Sequence, residues 1–119
     1  METPFALVLY QNMLFGEGLE SILNNKNFSV NKFPFPNGTP SIGIPLNKSN
    51  LLIIEFDRPF AALEQFIDNN ERIFNDGIRT IIIPNTIDKY IIHLIHKGKI
   101  DGVVLKCSDS EELIFAINM

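Results

Sequence analysis

Two carboxylates stand at the end of what reads as a buried strand. In LLIIEFDRP, residues 51–59, Leu51 to Ile54 form an unbroken apolar run, and Glu55 and Asp57 follow it. Such a run is the pattern of a strand covered on both faces. Period two puts both carboxylates on one side, with Asp57 two residues farther into the loop. A carboxylate delivered there can accept a group or hold a counter-charge, and a plain surface Asp is the simpler reading of Asp57. His93 and His96 are three residues apart, a spacing that permits metal binding, but no third ligand accompanies them and exposed histidines explain them. Cys107 follows Lys106, and a neighbouring lysine lowers a thiol pKa; a buried, inert thiol is the simpler reading. Neither Gly16-x-Gly18 nor Gly38 has the spacing of a phosphate-binding loop.

The 119-residue chain is the size of one domain with a real core. A net charge of −4 and the absence of a basic run argue against nucleic acid as a direct ligand. The single cysteine leaves no internal disulfide and suits a reducing cytoplasm. No apolar run approaches the ~20 residues of a membrane span, and METPFALVLYQN is not a signal peptide.

The elements that must position these residues alternate between strand and helix. FALVL (5–9) reads as a buried strand. Phe15, Leu19, Ile22 and Leu23 mark a helix capped by Asn12 and leaving at Asn24-Asn25-Lys26. FSVNKF (28–33) alternates as a shorter strand. Pro34, Pro36, Pro40 and Pro45 then oppose a long regular helix. Leu51–Glu55 is the third strand, and Phe60, Leu63, Phe66/Ile67 and Phe74 mark a helix to about Asn75. TIII (80–83) is a strand, Pro84-Asn85-Thr86 a loop and cap. Ile87, Tyr90, Ile91, Leu94 and Ile95 form a helix ended by Gly98. GVVL (102–105) is a fifth strand, and Ser108 with Glu111 reads as a capping box for the last helix. This alternation predicts an α/β domain, a parallel sheet with helices on both faces, whose functional crevice lies at the carboxyl ends of the strands.

Three stretches resemble the receiver domain of two-component response regulators, notably the LuxR/NarL-like subfamily: LVLYQNMLFGEGLESIL (7–23), LLIIEFDRP (51–59) and GKIDGVVLKCSDSEELIFAI (98–117). The resemblance spans the chain except about 31–49. It implies a flavodoxin-like, five-stranded parallel sheet of order 2-1-3-4-5, with the second helix degenerate or missing. It also implies a cytoplasmic, non-enzymatic signalling domain over residues 1–119, the N-terminal part of a longer regulator.

The same resemblance assigns the site. The family's phosphoacceptor aspartate falls on Glu55, and its acidic, Mg²⁺-holding pair falls on Tyr10 and Gln11. Its hydroxyl residue falls on Ile83 or Pro84, with Thr86 near but off the strand, and its switch aromatic falls on Val103. Only the lysine, Lys106, survives. The implied domain is a pseudo-receiver with no cofactor, its Mg²⁺ binding lost, and Glu55 paired to Lys106 as an imperfect fixed mimic of the phosphorylated state or as a plain salt bridge. Phosphorylation on Glu55 or Asp57 is an alternative, as is a small-ligand-binding or enzymatic domain on the same scaffold. The implied partners are a second copy of the chain and an attached or partner output domain controlling transcription, with no membrane contact. Phe35, Ile44, Ile92 and Phe115 are the candidate interface residues.

Overall fold

The apolar runs become strands and the amphipathic stripes become helices, in the sequence order that their spacing requires. The computed structural model describes residues 3–36, 50–57 and 60–118. Five strands, β1 (Phe5–Tyr10), β2 (Ser29–Pro34), β3 (Leu51–Glu55), β4 (Arg79–Ile83) and β5 (Gly102–Val103), form one sheet ordered β2-β1-β3-β4-β5. Every pairing is parallel. The helices are α1 (Met13–Asn25), α2 (Phe60–Asn69), α3 (Glu71–Asn75), α4 (Lys89–His96) and α5 (Ser110–Asn118). The expected loss of a second helix falls on 37–49, outside the described residues, as does Ile44.

Period two explains how a continuous apolar run serves two cores. Leu7, Leu9, Leu52, Ile54 and Ile82 face α2, α3 and α4, where Leu63, Phe66, Phe74, Ile91 and Leu94 are buried. Ala6, Val8, Leu51, Ile53, Ile81 and Ile83 face α1 and α5, where Leu19, Leu23, Leu113 and Ile117 are buried. Each such Val, Leu, Ile or Phe side chain contributes about 1.5–3 kcal/mol when fully buried. The chain runs from β1 to β2 on one side, then crosses to β3 on the other. The carboxyl ends of β1 and β3 therefore bound the crevice where the order reverses.

The helix ends refine the sequence reading. Asn12 caps α1 as expected, its Oδ1 accepting from Phe15 N at 3.1 Å. The expected helix over 60–75 is interrupted at Asn70, whose Nδ2 donates to Phe66 O at 2.8 Å. The cap of α4 is Asp88, which accepts from Tyr90 N and Ile91 N, rather than a residue of 84–86. Asp109 accepts from Glu112 N at 3.0 Å, so it takes the role expected of Ser108 with Glu111. Gly98 closes α4 at φ +72°, a left-handed conformation that only glycine adopts freely.

Two residues are placed differently from expectation. Phe35 is buried, not a surface residue: its N donates to Tyr10 O, and its ring lies 5.0 Å from that of Phe56 and 5.3 Å from that of Phe66. Cys107 is exposed rather than buried. The fifth strand is two residues long instead of four. Beyond it Val104 N still donates to Ile82 O and Lys106 N to Pro84 O, so the chain runs on beside β4 and sets Lys106 at the strand tips. Among the described residues no helix is long and apolar enough to cross a membrane.

Candidate functional site

The carboxylate at the end of β3 is fully buried. Glu55 has 0% exposure, a position in which an ionised side chain needs close compensation. Three groups supply it. Gln11 N and Asn12 N, where β1 turns into α1, both donate to Oε1, at 3.0 and 2.5 Å. Lys106 Nζ lies 2.8 Å from Oε2, a charge contact without the angle of a hydrogen bond. The two amides sit at the start of α1, where helix dipole and unpaired N–H groups favour negative charge.

Asp57 joins the same cluster. Its Oδ2 accepts from Lys106 Nζ at 2.5 Å, and its N donates to Gln11 Oε1 at 2.7 Å. Lys106 therefore stands between two carboxylates, with 15% of its side chain exposed and the Phe15 ring 5.8 Å from Nζ. Burial alone would lower the lysine pKa. The hydrogen bond to Asp57, the close contact with Glu55 and the negative charge of both outweigh it and hold Lys106 above the usual lysine value.

The structure thus brings Glu55, Asp57, Lys106 and Gln11 together and leaves the other named positions at the margin. The Tyr10 ring lies against α1 at Gly16, where an added Cβ would stand 2.9 Å from it. Ile83 is the register partner of Glu55 and buried, so it offers no hydroxyl. Pro84 is buried beside it, and Val103 is half-buried, paired with Ile82. Thr86 is exposed and shares a cleft of about 40 Å³ with Asp57. His93 and His96 are exposed on α4, and no metal-holding group of three His, Cys, Asp or Glu occurs among the described residues. Ile92 and Phe115 are exposed, at 47% and 69%.

Sequence reasoning missed the main-chain donors to Glu55 and the Gln11–Asp57 tie. The cap at Asn12 was the available signal: it marks the helix start, and helix starts present free amides.

No protein-family model matches the chain, and no curated protein matches it. Solved structures do. A signal receiver domain of two-component signal transduction from Clostridium thermocellum aligns over 98% of this chain and 96% of its own, with 17% identity and a TM-score of 0.76. A CheY-like response regulator from Mesorhizobium loti aligns over 98% of both chains, with 11% identity and a TM-score of 0.71. The pilus assembly protein CpaE from Caulobacter crescentus aligns over 98% of this chain and 92% of its own, with 10% identity and a TM-score of 0.73. The fold is that of a receiver domain, and at these identities the likeness carries no more than the fold.

Proposed function

We propose that this chain is a pseudo-receiver, a signalling module whose strand-tip site is occupied by its own Glu55 and works without phosphorylation. One observation carries the reading. Oε1 of Glu55 is held by two main-chain amides and Oε2 by Lys106, so the carboxylate is bound as a fixed anion rather than presented as a nucleophile. Its longer side chain also displaces the oxygens from an aspartate's position, and misplacement by about 1 Å can cost ~10²-fold in rate.

The donors around Glu55 do not suit Mg²⁺, the ion that receivers of this fold employ. Mg²⁺ demands near-octahedral oxygen ligands. Here Tyr10 and Gln11 provide no carboxylate, Gln11 Oε1 accepts from Asp57 N, and a lysine ammonium lies within 2.8 Å of both remaining carboxylates. On this reading Mg²⁺ binding is lost and the module acts through protein contacts on an attached or partner output domain. Transcriptional control is the output favoured by the LuxR/NarL-like motifs. The CpaE likeness sets pilus assembly beside it.

The test is an amide NMR titration with Mg²⁺ and then beryllofluoride, a phosphoryl mimic. Silent signals at Tyr10, Glu55 and Lys106 support the reading; saturable shifts there end it. A second reading has its own observation: the Asp57 side chain is 33% exposed and already bonded to Lys106. Incubation with acetyl phosphate should leave the chain's mass unchanged, and an added phosphoryl group absent from the Asp57→Asn variant would favour Asp57 as acceptor.

A further inference from the structure

On the sheet face that carries α1 and α5, the two helices do not close over the sheet completely. A cleft of about 250 Å³ lies between them. α1 lines it with Leu14, Phe15, Leu19 and Ile22, and Val104 and Leu113 face them. Its polar residues, Lys106, Ser108, Asp109 and Ser110, all come from the stretch that leads from β5 into the first residue of α5. Packed elements leave few gaps larger than a water molecule, yet Phe15 and Ile22 are only half-buried here and Leu14 is 79% exposed. The volume is near the lower bound of small-molecule sites, about 300 Å³, and exceeds the ~150 Å³ of a cavity that takes up benzene.

One residue of α1 holds part of this space open. Gly18 lines the cleft, and a Cβ added there meets nothing within 4 Å. Its φ is not positive, so no turn requires glycine, and no neighbour presses on it as Tyr10 presses on Gly16. Glycine inside a helix lowers stability relative to alanine. Stability given up with no gain in packing is the pattern of a site shaped for function. The charged groups of the lining then set the chemistry of an occupant. Lys106 is held by Glu55 and Asp57, and Asp109 accepts from Glu112 N. An anionic head would meet a lysine already shared by two carboxylates, and a cationic head would meet that same lysine. A charge brought into an apolar cleft needs a partner of its own, so a neutral occupant is favoured.

We propose that the cleft between α1 and α5 binds a neutral, largely apolar small molecule of roughly ten non-hydrogen atoms, with a hydroxyl or carbonyl group toward Ser108 and Ser110. The Phe15 ring joins this cleft to the strand-tip cluster: it lines the cleft and lies 5.8 Å from Lys106 Nζ. Lys106 itself lines the cleft as well. An occupant therefore touches the lysine that compensates Glu55, and gives the module an input that needs no phosphoryl group. That role as an input rests on the pseudo-receiver reading; the binding site itself does not.

Amide NMR of the chain with 1-octanol, octanoate and octylammonium, probes of one chain length and different head charge, tests it. The expected result is saturable shifts at Phe15, Gly18, Ile22 and Leu113 with 1-octanol, half-complete below about 1 mM. Each charged probe should bind at least about tenfold more weakly. Gly18→Leu should fill the space and weaken 1-octanol binding by about tenfold or more, while thermal unfolding shows the variant no less stable than the wild type. Leu14→Ser, at an exposed rim position, should weaken binding by a smaller factor with the fold intact. Absence of saturable shifts, equal binding of the charged probes, or 1-octanol binding unchanged in either variant would overturn the proposal. So would shifts at these amides that grow with protein concentration before any probe is added, which would assign the cleft to a second copy. Its failure is separable from failure of the pseudo-receiver reading. A chain silent to both 1-octanol and beryllofluoride loses only the ligand site, and one that binds 1-octanol yet responds to beryllofluoride loses only the pseudo-receiver and the input role that rests on it.

Discussion

Glu55 Oε2 lies 2.8 Å from Lys106 Nζ, and among the described residues that ammonium is the cation paired with a carboxylate that has no exposed surface. Removing one partner of a buried pair costs about 3–5 kcal/mol, because an uncompensated charge remains inside. Lys106→Met should therefore lower stability by roughly that amount in urea unfolding. The second-site response is more specific. Glu55→Gln in the Lys106→Met background removes the stranded charge yet keeps an oxygen for Gln11 N and Asn12 N, so it should recover most of the loss. Glu55→Leu in that background strands both amides, each at about 1–3 kcal/mol, and should not. Equal recovery by Gln and Leu would show that the amide contacts contribute nothing.

Alkaline pH should loosen the same cluster. Burial opposes the charged lysine, but Asp57 and Glu55 outweigh it and raise the pKa above the ordinary 10.5. A pKa raised by folding contributes stability that is fully present below the unfolded value and lost as pH rises through the folded one. Wild-type midpoints in urea should fall more steeply above about pH 10.5 than those of Lys106→Gln, with no difference in slope near neutrality. Lys32, raised by its bond to Glu20, is present in both proteins and cancels. Parallel curves above pH 10 would remove Lys106 as a source of stability.

The central strands were legible because burial on both faces leaves no polar alternation to misread: Leu51–Ile54 and Ile81–Ile83 are apolar throughout. The interruption at Asn70 was not, since Phe60, Leu63, Phe66 and Phe74 keep a helical stripe across it and a one-turn break does not disturb the period. Phe35 was misplaced because the prolines around it signal irregular backbone, and irregular backbone says nothing about where an aromatic ring goes. At the site, the pairing of Glu55 with Lys106 could be anticipated from side-chain types. The amides of Gln11 and Asn12 could not, because every residue but proline carries one.

The two glycines of α1 should answer substitution in opposite directions. Gly18 has nothing within 4 Å of an added Cβ, so Gly18→Ala should stabilise by about 0.5–1 kcal/mol through helix propensity alone. Gly16 has the Tyr10 ring 2.9 Å from that position. Gly16→Ala must push the ring at the end of β1, and should destabilise despite the same gain in propensity. Thermal unfolding of the two variants checks this, and a stabilised Gly16→Ala would mean that Tyr10 yields freely.

Phe35 and Phe115, both interface candidates by sequence, should separate on truncation. Phe35 is 5% exposed and touches the rings of Phe56 and Phe66, while Phe115 is 69% exposed. Truncating a buried Phe costs about 3–5 kcal/mol in lost transfer energy and cavity, so Phe35→Ala should sharply reduce the urea midpoint. Phe115→Ala should leave the stability of the monomer within about 0.5 kcal/mol, so its effect is to be sought in self-association. Measured at a dilution where the chain is monomeric, equal losses for the two would contradict the placement of Phe35 in the core and of Phe115 outside it.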